Sequence, residues 1–279
     1  MEFTERCADF VVGTRVEDIP PAVQEQATRC ILDCAGVTLA GFLEPDSRLI
    51  VDYVRQLSGT PTATVLGAGY KTSPPAAALA NGTLAHFLDY DDFAWVYYGH
   101  PSVAILPAAL AVGEQVGATG SDILEAYAIG LEVACKVGAA ISPQHYQRGF
   151  HPTGTIGAFG AAAAAGKLLD LTRDQMLCAL GIAGATTAGL RENFGFMAKP
   201  LQAGRAAENG VRAAALAKMG LTASRRTFGT ESGFYGSYVG LANVDQTRLA
   251  SPGNPWHLGI YFKPYPCCAC TFPALDAAI

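Results

Sequence analysis

Three places in this chain set a basic side chain directly before a proline that opens an apolar, helix-patterned run: His100-Pro101-Ser102, His151-Pro152-Thr153 and Lys199-Pro200-Leu201. Proline suits the first helical position, where its missing N–H would be unpaired anyway. A cation there is badly placed, because the helix N-terminus is already the positive end of the dipole. An anion shared by the helix end and the basic side chain removes the conflict. Three such ends brought together would make a socket for a di- or tricarboxylate. Any one of them alone reads as a plain loop-to-helix junction with a solvated side chain. Their recurrence among only five histidines and a few lysines gives the pattern its weight.

The stretch HFLDYDD at 86–92 ends one helical pattern shortly before His100. Three carboxylates within four residues repel one another and sit poorly at a negative helix end. One of them turned toward His100 would fix its tautomer and raise its basicity, as general base catalysis requires. The competing reading is a solvated acidic turn; a calcium loop is excluded because the twelve-residue ligand pattern is missing. Residues 160–167 imitate a phosphate loop but carry one alanine too many, with Leu168 where a hydroxyl is needed, and read as a closely packed helix of small residues. The Cys267–Cys270 cluster has no second ligand pair at zinc spacing. Most other cysteines fall in apolar helical pattern and read as small buried hydrophobes, reduced, in a cytoplasmic protein. His145 and His257 read as ordinary loop residues.

Helices must position these groups. Apolar spacing near 3.6 predicts helices over 19–41, 46–57, 73–87, 102–116, 121–141, 153–169, 172–186 and 201–219. Thr119 with Asp122 and Thr172 with Gln175 read as capping boxes. The run 63–66 is the single strand-like segment, and helical spacing fades beyond Ser224 until Pro273. The expected class is all-α. Half the residues are apolar and 15% are charged, with a net charge of −5. That composition predicts a large core or a covered surface, and it speaks against a nucleic-acid partner. No apolar run reaches membrane-spanning length, and the N-terminus lacks a signal-peptide pattern.

Taken in order, HFLDYDD at 86–92, HPSVAILP at 100–107, GFHPTGTIG at 149–157, KPLQAGRAAENG at 199–210 and KPYPCC at 263–268 resemble the motifs of the MmgE/PrpD family. That family includes 2-methylcitrate dehydratase, cis-aconitate decarboxylase and iminodisuccinate epimerase. The resemblance implies a large helical domain over 1–262, with 263–279 starting the hinge into an α+β lid that this chain lacks. It implies a cytoplasmic or mitochondrial homodimer that uses no metal or organic cofactor. It implies a small polycarboxylate substrate, with no nucleic acid and no membrane. Catalytic roles fall by position on Asp89, His100, His151 and Lys199, and substrate contacts on Ser102, Thr153, Gln202 and Lys263. The leading expectation is a hydro-lyase of the 2-methylcitrate dehydratase type, in which one histidine is the base and Asp89 supports it. A decarboxylase, an epimerase and a silent remnant are the alternatives.

Two departures stand out. Where the family motif reads Cys-x-x-Thr-His-Pro, this chain has Phe272 before Pro273, and Phe93 follows Asp92 where relatives often carry Thr. Both changes predict a more apolar pocket. The chain also stops where family members continue, so a truncated or split protein with an apolar surface awaiting cover is expected.

Overall fold

Small residues decide how this chain packs. The computed structural model describes residues 2–279, and helices dominate it. In chain order they are α1 (Phe3–Gly13), α2 (Pro21–Phe42), α3 (Arg48–Leu57), α4 (Pro74–Ala85), α5 (Ser102–Val116), α6 (Gly120–Ala139), α7 (Gln144–Gln147), α8 (Pro152–Thr155), α9 (Gly157–Leu168), α10 (Arg173–Thr186), α11 (Ala198–Lys218), α12 (Phe234–Tyr238) and α13 (Phe272–Ala278). From Gly157 to Gly166, every residue of α9 is buried. A helix apolar on all sides belongs inside, and α9 is packed by α5, α6, α10 and α11. Backbones touch where it crosses α6: a methyl on Gly130 would stand 2.6 Å from the Gly160 carbonyl oxygen, and one on Gly160 2.8 Å from that of Gly130. The phosphate-loop lookalike is therefore a packing surface, as its composition suggests.

The second central helix, α11, lies against α4, α5, α9 and α10. Its contact with α4 is equally tight, since a methyl on Gly82 would stand 2.8 Å from both the Gly204 Cα and the Val103 carbonyl oxygen. That carbonyl is free because Pro107, four residues on in α5, has no N–H to offer it. One glycine thus lets α4 touch both neighbours; His86 follows the end of α4, His100 precedes the start of α5, and Lys199 lies in the first turn of α11.

The expected capping boxes at Thr119 and Thr172 are formed. Elsewhere the structure departs from the pattern. Helix α1 begins with a capping box of Glu2 and Glu5. The run 153–169 is two helices, α8 and α9, and the run 201–219 starts earlier, at Ala198, so Lys199 sits inside the first turn rather than before it. The strand-like run is β1 (Ala63–Val65), paired antiparallel with β2 (Tyr70–Thr72). A second antiparallel pair joins β3 (Phe93–Ala94) to β4 (Ile260–Tyr261), with Phe93 opposite Tyr261. His145 is not a loop residue: it lies in α7, fully buried, stacked on Phe150 and Tyr238, with Nε2 3.2 Å from Thr155 Oγ1. Among the described residues no helix is long and apolar enough to cross a membrane.

Candidate active site

Helix α4 ends at Ala85, and the turn that follows folds its acids back over the helix end. His86 Nδ1 lies 2.9 Å from both carboxylate oxygens of Asp91. The same carboxylate reaches His100, whose Nδ1 is 3.0 Å from Asp91 Oδ2 and 2.9 Å from the Asp92 carbonyl oxygen. A carbonyl can only accept, so His100 carries its proton on Nδ1 and keeps its lone pair on Nε2. Complete burial would raise the Asp91 pKa, but His86 and His100 outweigh it and hold the carboxylate well below its ordinary range. Burial also lowers the His100 pKa, to about 4 against the opposing pull of Asp91, so its imidazole is neutral near pH 7.

His151 is fixed by a parallel device. It caps α8, and its Nδ1 lies 3.0 Å from Gln202 Oε1. Gln202 Nε2 donates to the Leu190 carbonyl at 3.0 Å, which settles the orientation of the amide. The oxygen therefore faces His151, Nδ1 is its protonated nitrogen, and the lone pair again sits on Nε2. Burial, with His86, His100 and Lys199 nearby, holds this imidazole well below its ordinary pKa. The three rings cluster around His86, whose centroid is 4.6 Å from that of the tilted His100 ring and 5.8 Å from that of the stacked His151 ring. The Nε2 atoms of His86 and His151 are buried without a hydrogen-bond partner.

Two lysines meet on Asp89. Lys199 Nζ is 2.8 Å from its Oδ2, and Lys263 Nζ is 2.6 Å from Oδ1 and 2.5 Å from the Asp89 carbonyl. Lys263 arrives here because β4, two residues earlier, pairs with β3. Burial works to raise the Asp89 pKa, but His100, His86, Lys199 and Lys263 together hold it far below the usual value. His100 Nε2 stands 3.8 Å from Asp89 Oδ1.

His100, His151 and Lys199 line one cavity of about 110 Å³, walled also by Phe93, Tyr98, Phe194 and the Cys268–Cys270 turn. The three basic residues singled out by their prolines thus converge, with Asp89 and Lys263 against Lys199. Ser102, Thr153 and Gln202 stand one layer out. The Ser102 hydroxyl donates to Asp92 and lies 2.5 Å from the Tyr127 hydroxyl, Thr153 Oγ1 accepts the His100 amide at 3.0 Å, and Gln202 orients His151. The anion at the positive end of α5 is the chain's own Asp92, whose Oδ1 accepts from the Ser102 amide at 3.3 Å. Burial pushes the Asp92 carboxyl up to about 7 despite the Ser102 hydrogen bonds. Phe272 is not part of this wall; its ring packs against Tyr265 at 5.6 Å. Sequence reasoning assigned no separate role to His86, Asp91 or Asp92. The signal was their spacing: a histidine at a helix end and an aspartate five residues on, across a tight turn.

His86, Asp89, Asp91 and His100 each offer one ligand atom, all within 4.8 Å of one another. As arranged they do not fit a resident metal ion. His100 spends its Nδ1 proton on the turn, Asp91 bridges two imidazoles, and Asp89 already holds two ammonium groups. What the set can do is move a proton at carbon beside a bound carboxylate, with imidazole lone pairs as base and ammonium groups against developing charge.

Comparisons with known proteins give the family. A family model described as the MmgE/PrpD N-terminal domain matches residues 5–247. Cis-aconitate decarboxylases of Mus musculus and Homo sapiens are each 31% identical over 284 residues, covering 99% of this chain and 58% of theirs. The cis-aconitate decarboxylase of Aspergillus terreus is 31% identical over 291 residues, covering 98% of this chain and 59% of its own length. The chain therefore spans a little under three fifths of the length of these curated relatives. It belongs to the MmgE/PrpD family.

Proposed function

We propose that this chain carries the proton-transfer centre of a lyase that acts on a small di- or tricarboxylate without a metal or organic cofactor. One observation carries the reading: two neutral imidazoles, His100 and His151, each locked with its proton on Nδ1, line the same small cavity as the Lys199 ammonium. A polycarboxylate entering this cavity brings negative charge that raises both imidazole pKa values, so one ring takes up a proton at Nε2 and becomes an acid.

Decarboxylation of an unsaturated tricarboxylate is the reaction that fits best. The bond to one carboxylate breaks and carbon dioxide leaves. Its electron pair becomes a new double bond, the old double bond shifts, and its far carbon takes the proton from imidazolium. Phe93, Tyr98 and Phe194 keep water from the departing carboxylate, which favours its loss. The 31% identical cis-aconitate decarboxylases support this choice over the dehydratase that the motifs first suggested. Dehydration remains the second reading because two separately held imidazoles could take a proton from carbon and give one to a leaving hydroxyl. The same family reading carries the expectation of a homodimer.

Purified chain incubated in D2O with cis-aconitate, and separately with citrate and 2-methylcitrate, is the test. Carbon dioxide release with deuterium at one product carbon, abolished in His100→Gln and His151→Gln, is the expected result. Ultraviolet-absorbing product from 2-methylcitrate without carbon dioxide would favour dehydration. A cooperatively folded protein that neither releases carbon dioxide, eliminates water nor exchanges deuterium would sink the reading.

A further inference from the structure

The Asp89 carboxylate occupies an unusual position. Both of its oxygens are taken by ammonium groups, Oδ2 by Lys199 and Oδ1 by Lys263 at 2.8 and 2.6 Å, and its carbonyl accepts from Lys263 as well. Its backbone has φ of 50°, the left-handed region that an L residue enters at a cost. It stands in the turn after α4 rather than in a helix, and its side chain is 24% exposed whereas that of Asp91 is wholly buried. His100 Nε2, the lone pair that faces the site, is 3.8 Å from Asp89 Oδ1, too far for a hydrogen bond. The arrangement is that of a carboxylate held where a bound carboxylate would be held.

The charges point the same way. Among the carboxylates and lysines that meet here, Asp89 and Asp91 stand against Lys199 and Lys263, two negative side chains against two positive ones. An incoming polyanion meets no net attraction as long as Asp89 keeps both lysines. Loss of Asp89 would leave one positive charge in excess in a partly desolvated site, where a single charge counts for much more than in water.

We infer that Asp89 is a built-in competitor for the substrate, an internal carboxylate that occupies the Lys199–Lys263 pair in the resting site and is displaced when a substrate carboxylate takes its place. This rests on the carboxylate reading of the site proposed above and adds to it a place, the lysine pair, and a cost, the ion pairs of Asp89. Binding is thereby selective: a ligand must offer a carboxylate that satisfies two ammonium groups at least as well as Asp89 does, and a singly charged or neutral analogue gains nothing from the exchange.

The test is calorimetric titration of citrate, as probe tricarboxylate, into the wild-type chain, Asp89→Asn and Asp89→Gly. Asparagine keeps the side-chain shape without the charge, and glycine suits the positive φ, so at least one variant should keep the fold, as read by thermal melting. Both folded variants should bind citrate roughly tenfold tighter or more than wild type, the gain shrinking at high salt. Acetate, small enough to refill the vacated place, should compete with citrate in Asp89→Gly far better than in wild type. Citrate binding to wild type with equal or weaker binding in a folded variant overturns the inference alone, because it makes Asp89 a partner of the ligand. Absence of binding in wild type and variants alike overturns the carboxylate reading together with it.

Discussion

At the level of single residues, the site depends on which nitrogen of each imidazole carries its proton. Gln202 decides this for His151 and is itself decided by the Leu190 carbonyl. Gln202→Leu removes the acceptor and frees the ring to exchange tautomers. On the reaction proposed above it should lower kcat by roughly 10- to 100-fold with a smaller change in KM. Gln202→Glu, by placing a charge on Nδ1–H, should instead move the pH profile upward; steady-state rates across pH separate the two. Burial of imidazoles also makes stability depend on pH. His145 titrates at about 3 and His100 at about 4 in the fold, against about 6.5 in an unfolded chain. Between these values the unfolded chain holds more protons, so this stability is complete above about pH 6.5 and is lost as pH falls through the window. Asp92 at about 7 and Asp33 at about 6 act with the opposite sign, favouring the fold at low pH and losing that contribution as pH rises. His145→Phe isolates one side of this balance, because Nδ1 of His145 has no partner and a phenyl ring keeps the stack on Phe150 and Tyr238. From pH 7.5 to pH 5 the variant should gain about 2 kcal/mol on wild type in urea unfolding, and a pH-independent difference would refute the assignment.

Helices hold these residues in register, and glycines set the spacing between helices. Gly82→Ala would press a methyl onto Gly204 and the Val103 carbonyl, moving α4 off both α11 and α5. A loss of about 1–3 kcal/mol is expected, with activity falling further than stability because His86, His100 and Lys199 would part. Gly36→Ala in α2 is the matched control: an added methyl there meets nothing within 4 Å, so the change should stabilise by up to about 1 kcal/mol. Thermal melting of the two variants in parallel tests both signs. The same scale shows what the sequence could and could not tell. Helix 102–116 was legible to the residue because apolar spacing, Pro101 and the left-handed Gly117 all mark it. The N-terminal helix α1 was not, because its cap is Glu2 rather than one of the usual short polar residues. The break at Ile156 between α8 and α9 lies in a continuously buried run whose dihedrals stay helical, so periodicity alone passes over it. At the site, convergence of His100, His151 and Lys199 could be anticipated from three basic–proline helix starts. The bridging of His86 and His100 by Asp91 could not, because it depends on how a turn with Asp89 at positive φ folds back in space.

For the whole molecule, the unsettled surface lies on the far side of Lys199's helix. A groove of about 460 Å³ between α3, α4 and the start of α11 is lined by Leu49, Ile50, Tyr53, Met197 and Leu201. Leu49, Tyr53 and Met197 are 65%, 52% and 53% exposed, and Phe196 beside them is 70% exposed. Apolar side chains so grouped, in a chain that is half apolar, mark a surface that gains by being covered. A homodimer, if the family expectation holds for this chain, would give it a cover, and one with a consequence for the site. Met197 and Leu201 flank Lys199 in the first turns of α11, so a second copy seated here would buttress the turn that presents the ammonium to Asp89. Leu49→Asp combined with Tyr53→Asp alters only α3, which contributes nothing to the cavity wall. Sedimentation velocity should show wild type as a dimer at micromolar concentration and the double variant as a folded monomer with weaker carboxylate binding. A wild-type monomer would refute the dimer. A dimer that survives both substitutions would place the interface on another face and leave the turn at Lys199 to hold its geometry unaided.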